Sequence, residues 1–259
     1  MFDWFNKFRN ASAERNSSAE PGPSLIPSGQ RVYAVGDIHG RADLLQQLHQ
    51  LILDDSAAFN GAKTVVYLGD YIDRGDWSRE VIELLLTQPL PGFANIYLRG
   101  NHEQAMLDFI EHPVEAANWL GFGGRETLSS YGIILAHIPT QAELPELAQQ
   151  LSRELPQTHK VFLDDSTGCW QCGGYYFVHA GIRPGVALDK QTAHDQMWIR
   201  EDFLTSSKDH GAIVVHGHSI FEKPEILANR IGIDTGAYTS GVLTCVVLEG
   251  NEQRLLQTQ

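Results

Sequence analysis

The sequence carries five short clusters of Asp, His and Asn residues beside glycines. The clusters are GDIHG (36–40), GDYIDRG (69–75), GNHE (100–103), HAG (179–181) and HGHS (216–219). Carboxylate, imidazole and amide groups form a mixed oxygen and nitrogen ligand set, which suits divalent metals such as Mn, Fe or Zn. Glycine beside such ligands lets the backbone approach an ion or a phosphate closely. The pattern therefore predicts a metal site.

The number of candidate ligands points to two metal ions. The candidates are Asp37, His39, Asp70, Asn101, His179 and His218. Six protein ligands are more than one ion needs, and a carboxylate shared by two ions about 3.5–4 Å apart uses them economically. Two such ions activate water and hold phosphoryl oxygens, which is the chemistry of phosphate ester hydrolysis. We therefore expect a phosphoesterase with a cationic pocket, although the chain has a formal charge of −13.

The first three clusters each follow a predicted strand and precede a predicted helix. Strands are expected at 31–35, 63–68 and 95–98, and helices at 42–53, 78–86 and 102–111, with Ser78 as an N-cap. Polar residues at the carboxyl ends of such strands meet at one edge of the sheet, where α/β folds bind ligands.

The rest of the chain predicts an insertion and a return to strands. Residues 112–160 are expected to be mostly helical, with a helix over 143–155. Strands at 175–179, 212–216, 230–235, 241–249 and 253–257 come close together, which favours antiparallel hairpins. Together, the predicted strands and helices indicate a core of two sheets with helices outside.

The amino-acid composition limits the class of protein and its location. Apolar residues make up 42% and charged residues 20% of the sequence, as in globular proteins. The acidic balance opposes binding to a nucleic acid duplex. No transmembrane segment or signal peptide is visible, which favours a cytoplasmic protein. Residues 1–28 are predicted to be a disordered leader before a domain at 29–259, and the aromatic N-terminus is either a short amphipathic helix or a frayed end.

Taken together, the five motifs resemble the signature of the phosphoprotein phosphatase family of metallophosphoesterases, in its bacterial serine/threonine protein phosphatase branch. The resemblance implies an α+β fold, a four-layer αββα sandwich of two mixed sheets flanked by helices. It implies that Asp37 and His39 bind one metal and that Asp70 bridges. It also implies that Asn101, His179 and His218 bind the second metal.

The resemblance also assigns the remaining site residues. His102 matches the general acid that protonates the leaving alkoxide, and Asp73 matches the carboxylate that orients this imidazole. Arg74, Arg200 and Asn101 match groups that bind the substrate phosphate. In HGHS both histidines could coordinate a metal, and the Gly-His-Ser frame favours His218 over His216.

The sequence leaves several alternatives open for the function and the metal. The function expected first is hydrolysis of phosphoserine and phosphothreonine in proteins, by attack of a hydroxide that bridges two Mn²⁺ ions, with Fe or Zn as other metals. The alternatives are a bis(5'-nucleosyl)-tetraphosphatase and a non-enzymatic binding module on the same fold. The oligomeric state is open.

Two further segments allow more than one interpretation. The segment 121–132 (GFGGRETLSSYG) is either a phosphate cradle or a structural loop, and Trp119, Phe122 and Tyr131 either line a substrate groove or pack the insertion. Cys169 and Cys172 are either ordinary thiols near a hairpin or a redox switch.

Overall fold

A computed structural model describes residues 25–259 and shows two five-stranded sheets packed face to face. The first sheet contains β1 (Gln30–Val35), β2 (Ala62–Tyr67), β3 (Phe93–Tyr97), β9 (Thr244–Glu249) and β10 (Glu252–Gln257). The second contains β4 (Cys169–Cys172), β5 (Tyr175–Val178), β6 (Ile213–His216), β7 (Glu225–Ile226) and β8 (Arg230–Gly232). The strand orders are β10-β9-β1-β2-β3 and β4-β5-β6-β8-β7.

Helices cover the outer face of each sheet. They are α1 (Ala42–Ser56), α2 (Ser78–Thr87), α3 (Asn101–Glu111), α4 (Gly124–Ser130), α5 (Leu144–Glu154), α6 (Gln157–Asp165), α7 (Ala193–Trp198), α8 (Glu201–Leu204) and α9 (Ala237–Ser240). Short 3₁₀ helices span Ala117–Phe122 and Leu188–Lys190. The predicted four-layer αββα sandwich of two mixed sheets is confirmed.

The apolar pattern of β1 explains how the layers form. Successive side chains of a strand point to opposite faces of the sheet. Val32 and Ala34 accordingly lie in the core between the two sheets, whereas Tyr33 and Val35 pack under the helices. Both faces are buried, so the strand is a continuous apolar run.

Two local predictions from the sequence were wrong. The late strands do not form hairpins throughout, because β5, β6 and β8 run parallel. The connections between them, residues 179–212 and 217–229, are long enough to cross over, as parallel strands require. Ser78 is not the N-cap of α2. It is the first helical residue after Trp77, and its hydroxyl accepts a hydrogen bond from the Asp73 backbone at 3.0 Å.

Most of the predicted leader, including the aromatic N-terminus, lies outside the described residues. The described part packs against the domain: Ile26 is fully buried between the sheets, and Leu25 accepts a hydrogen bond from Gly174 at 2.7 Å. The packed domain therefore includes Leu25. The disordered leader predicted before it stays a prediction. Within residues 25–259, no helix is long and apolar enough to cross a membrane.

Candidate metal centre and phosphate site

The predicted site residues lie on loops at the carboxyl ends of strands from both sheets. Those of the first three clusters follow β1, β2 and β3, and His179 and His218 follow β5 and β6. Within residues 25–259, the non-glycine residues with positive φ all belong to these loops: His39, Asp70, Asp73, Arg74 and His218. Strained backbone of this kind persists only where surrounding contacts hold it, and it concentrates at functional sites.

Asp70 is at the centre of this cluster and is almost fully buried. Its Oδ2 lies 3.5 Å from His39 Nε2, and its Oδ1 lies 3.4 Å from His179 Nε2. Two groups of potential ligands share this carboxylate: one adds His39 and His102, and the other adds His179 and His218. The arrangement suits a carboxylate that bridges two cations.

The histidines on either side of Asp70 are oriented by backbone carbonyls. His39 Nδ1 lies 2.8 Å from the Ile72 carbonyl oxygen, and His179 Nδ1 lies 2.9 Å from that of Leu68. A proton on Nδ1 of each ring leaves the Nε2 lone pair facing Asp70. Burial lowers the pKa of His39 to about 3, which keeps this imidazole neutral and able to bind a metal.

Asn101 and Asp37 complete the predicted ligands. Asn101 Oδ1 lies 2.9 Å from His179 Nε2, so the amide joins the second group. Asp37 lies outside both groups, and its Oδ2 accepts a hydrogen bond from the His218 backbone at 2.9 Å. Burial, then the charges of Asp234 and Asp70, hold the pKa of Asp37 well above its usual range.

Two buried atoms show that the residues fit cations. Asp37 Oδ1 and His218 Nε2 have no hydrogen-bond partner among the described residues, although both are buried. A buried polar atom without a partner is costly, and cations bound at the two ligand groups would satisfy these acceptors. The donor set and the unpartnered atoms therefore fit a pair of divalent metal ions.

The two histidines of the HGHS motif lie in different surroundings. His218 lies beside His179, with ring centroids 5.1 Å apart. His216 instead packs against Phe203 and Phe221, and burial lowers its pKa to about 4. The structure thus brings His218 into the site and places His216 in the surrounding core.

His102 and Asp73 form a buried pair beside the metal ligands. His102 Nδ1 lies 2.6 Å from Asp73 Oδ2. Trp119 Nε1 donates to the same oxygen at 2.9 Å, and Thr127 donates to Asp73 Oδ1 at 2.6 Å. Burial lowers the pKa of His102, but Asp70 and the hydrogen bond to Asp73 raise it by more, so the net shift is upward. This imidazole is suited to carry a proton.

The two predicted phosphate-binding arginines differ in their surroundings. Arg74 Nη2 lies 3.2 Å from His102 Nε2, and the guanidinium lies 4.8 Å from the centre of the Tyr238 ring. Arg200 is exposed at the start of α8. Burial lowers the pKa values of His179 and His218, and the charge of Arg200 adds a smaller contribution in the same direction. Arg74 thus faces the acid side of the cluster, and the charge of Arg200 acts on the second ligand group.

Glu103 is a site residue to which the sequence analysis gave no role, although it ends the GNHE motif. It is fully buried and accepts four backbone N–H groups. Oε2 accepts from Asp70 and Gly100, both at 2.9 Å, and Oε1 accepts from Tyr71 at 2.8 Å and Ile72 at 3.3 Å. Burial and the charge of Asp70 raise the pKa of Glu103, and these N–H groups oppose the shift. The side chain ties the loop after β2 to the start of α3.

Three other residues were missed as parts of the site. Asp234 is buried against Asp37, and burial raises its pKa to about 6. Its signal was a Gly-containing turn after a strand, as in the other clusters. Thr127 and Tyr238 contact the acid pair and Arg74 respectively, and no local pattern marks them.

The segment 121–132 lies against the loop that carries Asp73 and Arg74. The Gly123 carbonyl accepts from the Arg74 backbone at 3.2 Å, and a Cβ on Gly123 would come within 2.5 Å of that nitrogen. Trp119 and Tyr131 are buried, whereas Phe122 is exposed, with its ring 6.4 Å from that of His102. The glycine therefore serves close packing against the site.

Comparison with known proteins agrees with this geometry. Residues 30–238, which are most of the chain, match the calcineurin-like phosphoesterase family. The chain belongs to this family. It is a metallophosphoesterase, a hydrolase of a family whose members use a dinuclear metal centre.

Individual relatives are named for different substrates. The phosphoesterase is 29% identical to serine/threonine-protein phosphatase 2 of Escherichia coli (strain K12), over 83% of this chain and 91% of that protein. It is 26% identical to the asymmetrical bis(5'-nucleosyl)-tetraphosphatase PrpE of Bacillus velezensis, over 81% and 86%. A crystal structure of a cold-active protein-tyrosine phosphatase of a psychrophile Shewanella sp. shares the fold, with a TM-score of 0.59 at 17% identity, over 91% and 83%.

Proposed function

We propose that this phosphoesterase hydrolyses phosphoserine and phosphothreonine in proteins, with two manganese ions as cofactor. The observation that carries the proposal is the shared Asp70 carboxylate between two ligand groups, next to an acid pair and a guanidinium. Iron and zinc suit the same ligands and are the alternatives.

The metal ions and the protein side chains would have separate roles in the reaction. When bound by Asp37, His39, Asp70, Asn101, His179 and His218, two divalent ions supply an activated water and neutralise phosphoryl charge. Arg74 and Arg200, together with Asn101, would bind the phosphate oxygens and fix the phosphorus in place.

His102 would act as the general acid. Its Nδ1 is held by Asp73, so its Nε2 can give a proton to the leaving oxygen of the serine or threonine. Trp119 donates to the same Asp73 oxygen and Thr127 donates to the other one, which limits rotation of the carboxylate. An alkoxide is a poor leaving group, so this proton matters most for alkyl esters.

The relatives support two candidate substrates. Similarity to the E. coli serine/threonine phosphatase favours a phosphoprotein. Similarity to the B. velezensis tetraphosphatase favours a dinucleoside tetraphosphate as the second candidate. A non-enzymatic role has no support among these relatives, both of which are named for hydrolytic activities.

A paired assay tests the proposal. Manganese-loaded protein would be given a phosphothreonine peptide and diadenosine tetraphosphate, and kcat/KM would be compared, with Asp70→Asn as the inactive control. We expect the peptide to be preferred. A strong preference for the dinucleotide would replace the proposed substrate with the second candidate.

His102→Asn separates the acid role from metal binding. This variant should keep its metals and lose about 10²–10⁴-fold in kcat on the phosphothreonine peptide. It should lose much less on an aryl phosphate, whose leaving group needs no proton. Equal losses on both substrates would contradict the assignment of His102.

A further inference from the structure

A cavity of about 560 Å³ opens beside the proposed phosphate site. Its walls come from one face of α3, from the turn and 3₁₀ helix that follow, and from Trp198 at the end of α7. The Trp198 ring lies 6.4 Å from the ring of His218, and the Phe122 ring lies 6.4 Å from that of His102. The cavity therefore adjoins both the acid and the second ligand group.

Helix α3 leads from the acid into this cavity. Ala105, Asp108 and His112 line it and continue from His102 in steps of three or four residues, a row that winds about 120° around the helix by Asp108. At a rise of 1.5 Å per residue, Asp108 is about 9 Å along the axis from His102, and His112 is about 15 Å away. An extended peptide advances about 3.3 Å per residue, so a residue about three positions from the phosphorylated one would reach Asp108.

The charges in the cavity have one sign. Asp108 and Glu115 are exposed carboxylates in its wall, and no Lys or Arg lines it. Asp108 Oδ1 accepts a hydrogen bond from Gln104 at 2.8 Å, which still leaves Oδ2 for another donor. Arg74 and Arg200, the proposed phosphate-binding residues, do not line the cavity. A second or third phosphate group extending into the cavity would thus meet negative charge, whereas a Lys or Arg side chain would be attracted.

The aromatic rings suit the same occupant. Phe122 is 38% exposed, and its ring and that of Trp198 both line the cavity. Aromatic faces attract cations and pack against the aliphatic part of Lys and Arg side chains. Carboxylates beside aromatic rings thus offer a basic side chain both charge and apolar contact.

We propose that this cavity binds the polypeptide beside the phosphorylated residue and selects substrates with Lys or Arg about three positions from it. The inference rests on the proposed function. It names Asp108 and Glu115 as specificity residues, and it assigns Phe122 and Trp198 as the apolar walls of the subsite.

The test uses phosphothreonine peptides that differ only in one flanking residue. Arg, Ala or Glu would be placed two, three or four positions before or after phosphothreonine, and kcat/KM would be measured with manganese-loaded protein. Exposed ion pairs contribute a few-fold each, so we expect the best Arg peptide to exceed its Glu counterpart by about tenfold. The preference should shrink at 0.5 M NaCl, because salt screens exposed charges.

Charge-removing variants locate the effect. Asp108→Asn with Glu115→Gln should reduce the preference to about twofold. Glu111→Gln is the matched control, since Glu111 is exposed on the same helix but outside the cavity. Turnover of p-nitrophenyl phosphate should be unchanged in all variants, because this small ester does not reach the cavity.

The outcomes separate the two proposals. Equal rates on Arg and Glu peptides, or a preference that survives in the double variant, would overturn the inference and leave the phosphatase proposal intact. Failure to hydrolyse any phosphopeptide, with rapid hydrolysis of diadenosine tetraphosphate, would overturn the proposed function and the inference with it.

Discussion

The four hydrogen bonds to Glu103 provide a quantitative test of how the metal loops are held. In Glu103→Gln the amide oxygen can accept one pair of backbone N–H groups, and the new NH₂ group must face the other pair. The two pairs are Asp70 with Gly100, and Tyr71 with Ile72. Either orientation therefore leaves two buried donors without an acceptor.

The expected cost follows from this count. Each unsatisfied buried N–H group costs about 1–3 kcal/mol, so the free energy of unfolding should fall by about 2–6 kcal/mol. A typical domain has about 5–15 kcal/mol, so we expect most of the variant to remain folded. The loop would be less able to hold Asp70 at φ 51°, and metal affinity should fall together with stability.

Two measurements are needed, each compared with Glu111→Gln as an exposed control on the same helix. Urea unfolding gives the change in stability, and titration calorimetry with Mn²⁺ gives the change in metal affinity. An unchanged unfolding free energy would refute the hydrogen-bond argument. A loss of stability with unchanged Mn²⁺ affinity would show that Glu103 supports the fold and not the metal loop.

The remaining predictions concern the acid, the ligands and the first described residues. Against the effect of burial, the charge of Asp70 and the hydrogen bond to Asp73 raise the pKa of His102, so the protonated form is present below that pKa and is lost as pH rises. Asp73→Asn removes the second contribution and should move the alkaline limb of the kcat profile on a phosphothreonine peptide to lower pH. An unmoved limb would exclude this role of Asp73. His218→Asn should lower the amount of metal bound per protein, as measured by elemental analysis. His216→Asn should keep both ions and change only the unfolding temperature. The reverse result would make His216 the metal ligand of the HGHS motif. Deletion of residues 1–28 removes buried Ile26 and should lower the free energy of unfolding by about 1.5–3 kcal/mol relative to deletion of residues 1–24, as measured with urea. Equal unfolding curves for the two deletions would contradict the packing of Ile26.

The sequence pointed to the candidate site residues because the signals are local. A buried strand followed by a turn with Gly and Asp or His can be recognised within about ten residues, and three such units predict ligands at one edge of a sheet. Two metal ions could be inferred from the number of Asp, His and Asn residues alone. The family resemblance added the roles of His102, Asp73 and the arginines, and the α+β sandwich followed from the same motifs.

Only the tertiary structure decided which groups support the site, because those contacts join distant parts of the chain. His179 comes from the second sheet to within 3.4 Å of Asp70, and Trp119 and Thr127 reach Asp73 from the helical insertion. Parallel pairing of β5, β6 and β8 depends on crossovers that no local pattern reveals. Glu103 shows this most clearly: the sequence does not distinguish it from other acidic residues of a helix, and only the fold buries it against four backbone N–H donors.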